Sequence, residues 1–216
     1  MDPGLSLLLA GLWLAVVLAA ALVARRLWPQ QRELSRKIVH IGAGFTVPLA
    51  WWLEIPRQFA LPAAALATLF ALVNHRSQLL PAVEDVDRRS YGTVAYGLAI
   101  TILLVLFWPE HPQAACAGLL VMAAADGLAG LIGRAVPSAR WQIWGQTKSI
   151  AGTLTMAVVS LGVLVGLSLF SPHHPDATGL LLISLLAVGL EQVSRWGMDN
   201  LTVPLAVGLS WQWFST

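Results

Sequence analysis

Four short stretches of this sequence carry polar side chains at spacings suited to handling phosphate, and each lies in or beside an apolar run. In DGLAGLIGR, Asp126, Gly130 and Gly133 fall at i, i+4 and i+7, which sets a carboxylate beside a glycine groove on one helix face. A carboxylate within a membrane helix costs about 2.5–3.5 kcal/mol on insertion scales, so it needs a partner or a use. Magnesium held against nucleotide phosphates is one such use, because that ion keeps waters and takes only one or two carboxylates. An ion pair with Arg134 or another buried base is the plainer alternative. In RKIVHIGAG, Arg36, His40 and Gly44 are spaced four apart. Arg36, Lys37 and His40 can there receive phosphate oxygens, the guanidinium as a fork and the ammonium as a point charge. Basic residues at a helix mouth also serve simply as anchors, with small residues as a packing face.

The third stretch, GQTKSIAGT, opens another apolar run. Lys148, Ser149, Gly152 and Thr153 would present an ammonium, hydroxyls and free backbone N–H groups at a helix start, where phosphate binds readily. Its glycine spacing is not that of a P-loop, and no strand is expected to lead into it. A capping segment with a snorkelling lysine is the alternative. The fourth comprises Glu191, Arg195 and Asp199 at i, i+4 and i+8, followed by Asn200 and Pro204. On one unbroken helix those charges would compensate one another. A helix that ends near Gly197 would instead deliver Asp199 and Asn200 to a ligand in a lined cavity.

What must position these groups is a set of membrane helices. Of the 216 residues, 57% are hydrophobic and only 11% charged, against about 25% charged in soluble domains. A span needs roughly 17 to 25 apolar residues. Runs over 5–27, 38–53, 58–73, 92–108, 113–132, 150–170, 179–193 and 201–214 qualify or nearly so; the second and the last two are short. The expected architecture is therefore an all-α bundle of about seven or eight crossings, since only helices or closed barrels satisfy their backbone in lipid and no period of two runs through the chain. The first run lacks a basic leader and a cleavage signature, and is expected to be retained. One domain over 1–216 is expected, with no linker or repeat.

Orientation follows from Lys and Arg. With eight crossings, twelve of the thirteen basic residues fall on one side, leaving Arg57 opposite with Asp2, Glu54, Glu110 and Asp176. The N-terminus is thus expected outside and the polar stretches at the cytoplasmic face. In the connection after the third run, Glu84, Asp85 and Asp87 neighbour Arg88 and Arg89 and are expected to be neutralised locally, leaving Arg88, Arg89 and Tyr91 to face the rim of the site. Trp28, Trp51, Trp52, Trp108, Trp211 and Trp213 lie near span ends and read as interfacial anchors. The lone Cys116 excludes an internal disulfide framework.

Together the segments RKIVHIGAG, RRSYGTVAYGL, ADGLAGLIGR, GQTKSIAGTLTM and MDNLTVPLA resemble, in order, the polyprenol kinase family, which includes phytol and dolichol kinases. The likeness covers 36–216 and is nearest to the phytol kinases of photosynthetic organisms. Ala151 departs from it, since many relatives carry Glu there, so no role is carried to that position. The resemblance implies transfer of a γ-phosphoryl group from CTP, or UTP, to a long isoprenoid alcohol, with phytol salvage as the setting and a cyanobacterial-type plasma or thylakoid membrane as the place. On that footing Asp126 is expected to hold magnesium and phosphates. Lys148, Ser149 and Thr153 are expected to hold the β and γ phosphates, with Arg36 and Lys37 as further clamps and His40, Gly130, Gly133, Gly152 and Glu191 lining the nucleotide site. Asp199 is expected as a second metal ligand or as the base that orients the alcohol, with Asn200 beside it. No nucleic-acid partner is expected. A diacylglycerol kinase or a cytidylyltransferase would need similar phosphate chemistry. A small transporter would place its carboxylates near the midplane, whereas these map towards the cytoplasmic ends.

Overall fold

A computed structural model describes residues 2–77, 79–80 and 90–216; Glu84 to Arg89 of the acidic and basic connection lie outside the described residues. Each apolar run contains one helical segment: α1 (Pro3–Leu27), α2 (Arg32–Trp52), α3 (Arg57–Ser77), α4 (Gly92–Phe107), a rod over Pro112–Ala135, α7 (Ile150–Ser168), α8 (Ala177–Val193) and α9 (Asp199–Phe214). The rod comprises α5 (Pro112–Leu120), a π-helical turn (Val121–Asp126) and α6 (Gly127–Ala135). Local chemistry sets several starts. Asp2 accepts from Leu5 N (3.1 Å) with Pro3 opening α1, and Asp176 accepts from Gly179 N (2.7 Å) to open α8.

Burial is inverted relative to a water-soluble bundle. Leu8, Leu12, Leu66, Leu69, Val158 and Leu169 are exposed, whereas Ser35, Asn74, Ser160 and Ser184 are buried. Small residues dominate the interior: Ala21, Ala99, Ala114, Ala115, Ala117, Ala123 and Ala187 have no exposed surface. That is how helices pack in lipid, where close backbone approach replaces a hydrophobic driving force. Four helical stretches among the described residues are long and apolar enough to cross a membrane: Pro3–Leu27, Arg57–Ser77, Pro112–Ala135 and Ile150–Ser168. Gly92–Phe107 and Ala177–Val193 are shorter apolar helices. The Pro112–Ala135 rod is the central element, with 61% of its span buried against 22% for the other three long helices. It packs on α2, α4, α7 and α9, while α1 lies on α2 and α3 on α4.

Two expectations need correction. A strand does lead into α7: β1 (Arg140–Ile143) pairs antiparallel with β2 (Gln146–Ser149), with Arg140 opposite Ser149. Its two-residue tip, Trp144-Gly145, has φ of 52° and 75°, the signature of a type I′ turn. Secondly, Trp108 and Trp211 are core residues rather than interfacial anchors. Trp108 donates from Nε1 to the Ile55 carbonyl at 2.9 Å, which removes the cost of burying its polar edge. Trp28, Trp52 and Trp213 are exposed, in keeping with the anchoring role.

The chain also breaks between α8 and α9, as the position of Gly197 suggests. Trp196 (φ 57°) and Gly197 (φ 80°) are both left-handed there. A Cβ at Gly197 would lie 2.7 Å from Gly92 Cα, so the start of α4 can approach only a glycine. Tyr91 N donates to Trp196 O at 3.1 Å, fixing that approach.

Candidate active site

The four polar stretches meet at one cavity of about 510 Å³. Its lining includes Arg36, Lys37, Asp126, Gly130, Gly133, Lys148, Ser149, Gly152, Thr153, Glu191, Asp199 and Asn200. His40 lies behind that wall. Its Nε2 is 3.3 Å from Asp126 Oδ2 and 3.1 Å from Met122 O, and its ring stacks on Tyr96 at 4.4 Å. His40 is thus a supporting residue for Asp126 in this geometry.

Asp126 ends the π turn, and it pairs with a buried base other than Arg134, as the ion-pair alternative allowed. Lys37 Nζ, from α2, donates to Asp126 Oδ2 at 2.5 Å and to the Asp126 carbonyl at 3.2 Å. Arg134 reaches Glu33 at 3.1 Å, and Glu33 also pairs with Arg36. The glycine groove beside Asp126 is filled by protein. A Cβ at Gly130 would meet Lys37 Cε at 2.9 Å, and one at Gly133 would meet Ser149 Oγ at 2.8 Å and Gly152 Cα at 3.2 Å. Those two glycines therefore let the lysine of α2 and the first turn of α7 close on α6.

The start of α7 differs from the expected phosphate nest. Its first N–H groups are already used: Ile150 N donates to Ala139 O (3.0 Å), Ala151 N to Ser138 Oγ (3.2 Å) and Gly152 N to Ser149 Oγ (3.1 Å). Ser149 is the helix cap, and its hydroxyl also donates to Gly133 O at 3.3 Å. These amides are satisfied within the protein, so an anion held here would meet side chains rather than free backbone N–H groups. Lys148, on β2, pairs with the Glu191 carboxylate and donates to the Glu191 carbonyl at 2.8 Å. Thr153 accepts from Gln192 Nε2 at 2.9 Å, a residue that the sequence did not single out.

The i, i+4, i+8 charge ladder does not form, because α8 ends at Val193. Glu191 turns to Lys148, while Arg195 lies over the Trp196 ring at 4.2 Å. Asp199, opening α9, has its own N–H held by Ser194 Oγ at 2.6 Å and accepts from Asn200 N at 3.1 Å. It forms no ion pair among the described residues, although the charges of Asp126, Glu191, Lys37 and Lys148 all act on it. Asn200 is buried, and its Oδ1 has no hydrogen-bond partner among the described residues.

Among the described residues no three His, Cys, Asp or Glu side chains gather as a ready-made metal site. The oxygen donors at the cavity, Asp126, Asp199 and the orphaned Asn200 Oδ1, do suit a hard cation that keeps its waters and takes few carboxylates. Two lysines each held by a carboxylate, beside an aspartate with no ion pair among the described residues, can exchange those internal partners for an anionic ligand and its cation. Trp144, Trp196, Gln192 and Arg195 also line the cavity. The two tryptophans had no polar spacing to mark them.

No protein-family model and no solved structure matches the chain. Curated relatives do. The phytol kinase of the cyanobacterium Synechocystis sp. is 42% identical over 207 residues, covering 93% of this chain and 88% of that protein. A probable chloroplastic phytol kinase 1 of Glycine max is 31% identical over 82% of this chain and 65% of its own length. The chloroplastic phytol kinase 1 of Arabidopsis thaliana is 29% identical over 97% and 75% respectively. With such identity spread over nearly its whole length, the chain belongs to the phytol kinase family.

Proposed function

We propose that this protein transfers the γ-phosphoryl group of CTP to the hydroxyl of phytol, forming phytyl phosphate and CDP. The observation that carries the reading is the convergence of Lys37, Lys148, Asp126 and Asp199 on one cavity in a chain of this family. Phosphoryl transfer asks mainly for positioning and charge neutralisation, which such a set supplies. The alcohol oxygen bonds to the γ-phosphorus as the β–γ bridging P–O bond breaks. The hydroxyl proton passes to a carboxylate at the cavity, and the bridging oxygen leaves with CDP.

Asp199, without an ion pair among the described residues, is the carboxylate best suited to the proton; the alternative is a second metal-ligand role. Asp126 and Asn200 would hold magnesium, which when bound neutralises phosphate charge. Lys148 and Thr153 would contact the β and γ phosphates, with Arg36 and Lys37 as outer clamps and Ser149 fixing the α7 start. The protein is read as a single catalytic unit that crosses the bilayer seven or eight times, N-terminus outside and cavity cytoplasmic. Six basic residues assigned to the cytoplasmic side, Arg36, Lys37, Arg134, Arg140, Lys148 and Arg195, line this one cavity, which supports that orientation. Phytyl phosphate so formed would feed tocopherol and related prenyl products.

The test is direct. Membranes containing the protein receive magnesium and γ-labelled CTP, UTP or ATP, with phytol, geranylgeraniol, a longer polyprenol or diacylglycerol as acceptor. Label in phytyl phosphate with CTP, abolished by chelation and restored by magnesium, is the expected result. Label in phosphatidate instead makes the protein a diacylglycerol kinase, and product carrying CMP makes it a cytidylyltransferase. No labelled product from any pair, with well-folded protein, overturns the kinase reading.

A further inference from the structure

Trp144 and Trp196 are 52 residues apart in sequence (196 minus 144), yet they share an unusual setting. Each precedes a glycine, and all four residues are left-handed: Trp144 and Gly145 at φ 52° and 75°, Trp196 and Gly197 at 57° and 80°. Glycine adopts that backbone at no steric cost; a bulky aromatic does not, and such strain gathers where structure serves a ligand. Both indoles are largely exposed, at 66% and 56%, and both line the cavity. They converge on one cation: Arg195 Cζ lies 4.2 Å from the Trp196 ring centre and 5.9 Å from that of Trp144.

We propose that Trp144 and Trp196, with Arg195 beside them, stack on the base of the nucleotide donor; the proposal rests on the kinase reading above. A guanidinium lying over indole faces marks a place where a flat π surface is accepted, and a nucleobase is such a surface. The segments that carry the tryptophans also carry Lys148, the proposed phosphate contact, and Glu191, its internal partner. Lys148 belongs to the hairpin whose tip is Trp144, and Glu191 to the helix that ends before Trp196. One ligand can thus engage the aromatic rim with its base and the lysine with its phosphates. An interfacial anchor would need neither strained backbone nor a place on a polar cavity. Stacking tolerates any base, so the clamp adds affinity and leaves the choice of cytosine to other contacts.

The test uses the full chain in lipid nanodiscs, with Trp144→Ala, Trp196→Ala, the double variant, and Trp→Phe at each site. Three quantities are read: the KM for CTP, the KM for phytol, and inhibition by tripolyphosphate, which has phosphates but no base. Each alanine variant should raise the CTP KM roughly 5- to 100-fold and leave the other two unchanged, and Phe should restore most of the loss. Unchanged tripolyphosphate inhibition shows that the phosphate cradle is still folded. A CTP KM that does not move, or a phytol KM that rises in step with it, overturns the clamp and leaves the kinase standing. Calorimetric binding of CTP separates the two readings. Wild-type protein that binds CTP without turnover, and loses that binding in the alanine variants, keeps the clamp while the kinase reading falls; wild-type protein that binds no CTP removes both.

Discussion

Lys37 Nζ sits 2.5 Å from Asp126 Oδ2 and 3.2 Å from the Asp126 carbonyl, so one ammonium holds both the side chain and the backbone of the residue that ends the π turn. The pair is mostly buried, with side-chain exposures of 6% and 13%. It joins α2 to the central rod at the wall of the cavity, so a structural role and the proposed catalytic one meet in one contact and can be separated by substitution.

Asp126→Asn should lower turnover by about 10²-fold or more, the scale set by losing one electrostatic element of a phosphoryl or oxyanion site, with membrane insertion intact. Lys37→Met strands a buried carboxylate and should cost about 3–5 kcal/mol of stability, seen as a fall in Tm in detergent. The double variant should regain stability without activity. Full activity in Asp126→Asn removes Asp126 from the chemistry.

Lys148→Met and Glu191→Gln should move nucleotide affinity in opposite directions. Losing the ammonium removes a charge-assisted contact and should raise the CTP KM about 10- to 100-fold. Losing the Glu191 charge releases Lys148 from a competitor, so the CTP KM should hold or fall. Steady-state kinetics on the two variants decides; a parallel rise in both means that the pair acts only as a structural tie.

Gly133→Ala should be more damaging than Gly130→Ala. The new methyl at 133 meets the Ser149 cap and the Gly152 backbone, whereas at 130 it meets the movable end of Lys37. Overpacking of this kind costs about 1–3 kcal/mol. Thermal unfolding in detergent, together with residual turnover, should rank the two variants in that order.

Replacing buried Cys116 by Ala gives a background for topology. With eight crossings, single cysteines placed at Asp2 and Thr216 should both react from outside with an impermeant maleimide, and one at Gln146 only after permeabilisation. A cysteine at position 146 that labels in sealed cells reverses the orientation.

Polar residues inside apolar runs were easy to find from sequence. Asp126, Lys148, Asp199 and Asn200 stand out against hydrophobic surroundings, and Gly197 marks the end of a helix. Their partners were not legible, because Lys37 and Asp126 are 89 residues apart and Lys148 and Glu191 are 43 apart; only packing brings them together. The hairpin is not legible in the sequence because its strands, RWQI and QTKS, are four residues each and its turn is Trp-Gly rather than Asn-Gly. Capping of the α7 amides by Ser138 and Ala139 depends on that same hairpin. Trp108 looked interfacial because it ends an apolar run, but the α2–α3 connection folds over it and supplies the Ile55 carbonyl.

The π turn at Val121–Asp126 makes the site a matter of phase. An α-helix advances about 100° per residue, and a π turn carries one residue more than the α-turn it replaces. The half of the rod that bears Gly130 and Gly133 therefore faces about 100° away from where an unbroken α-helix of the same residues would point it, while the other half packs on α4 and α9. Closing this stretch into regular α geometry with every residue kept would turn the glycine face about 100° away from Lys37 and α7, whereas deleting one residue removes the spare one and leaves that face where it is. Insertions and deletions in the connections change length; in this stretch the spare residue of the π turn sets which way the cavity-facing half of the rod looks.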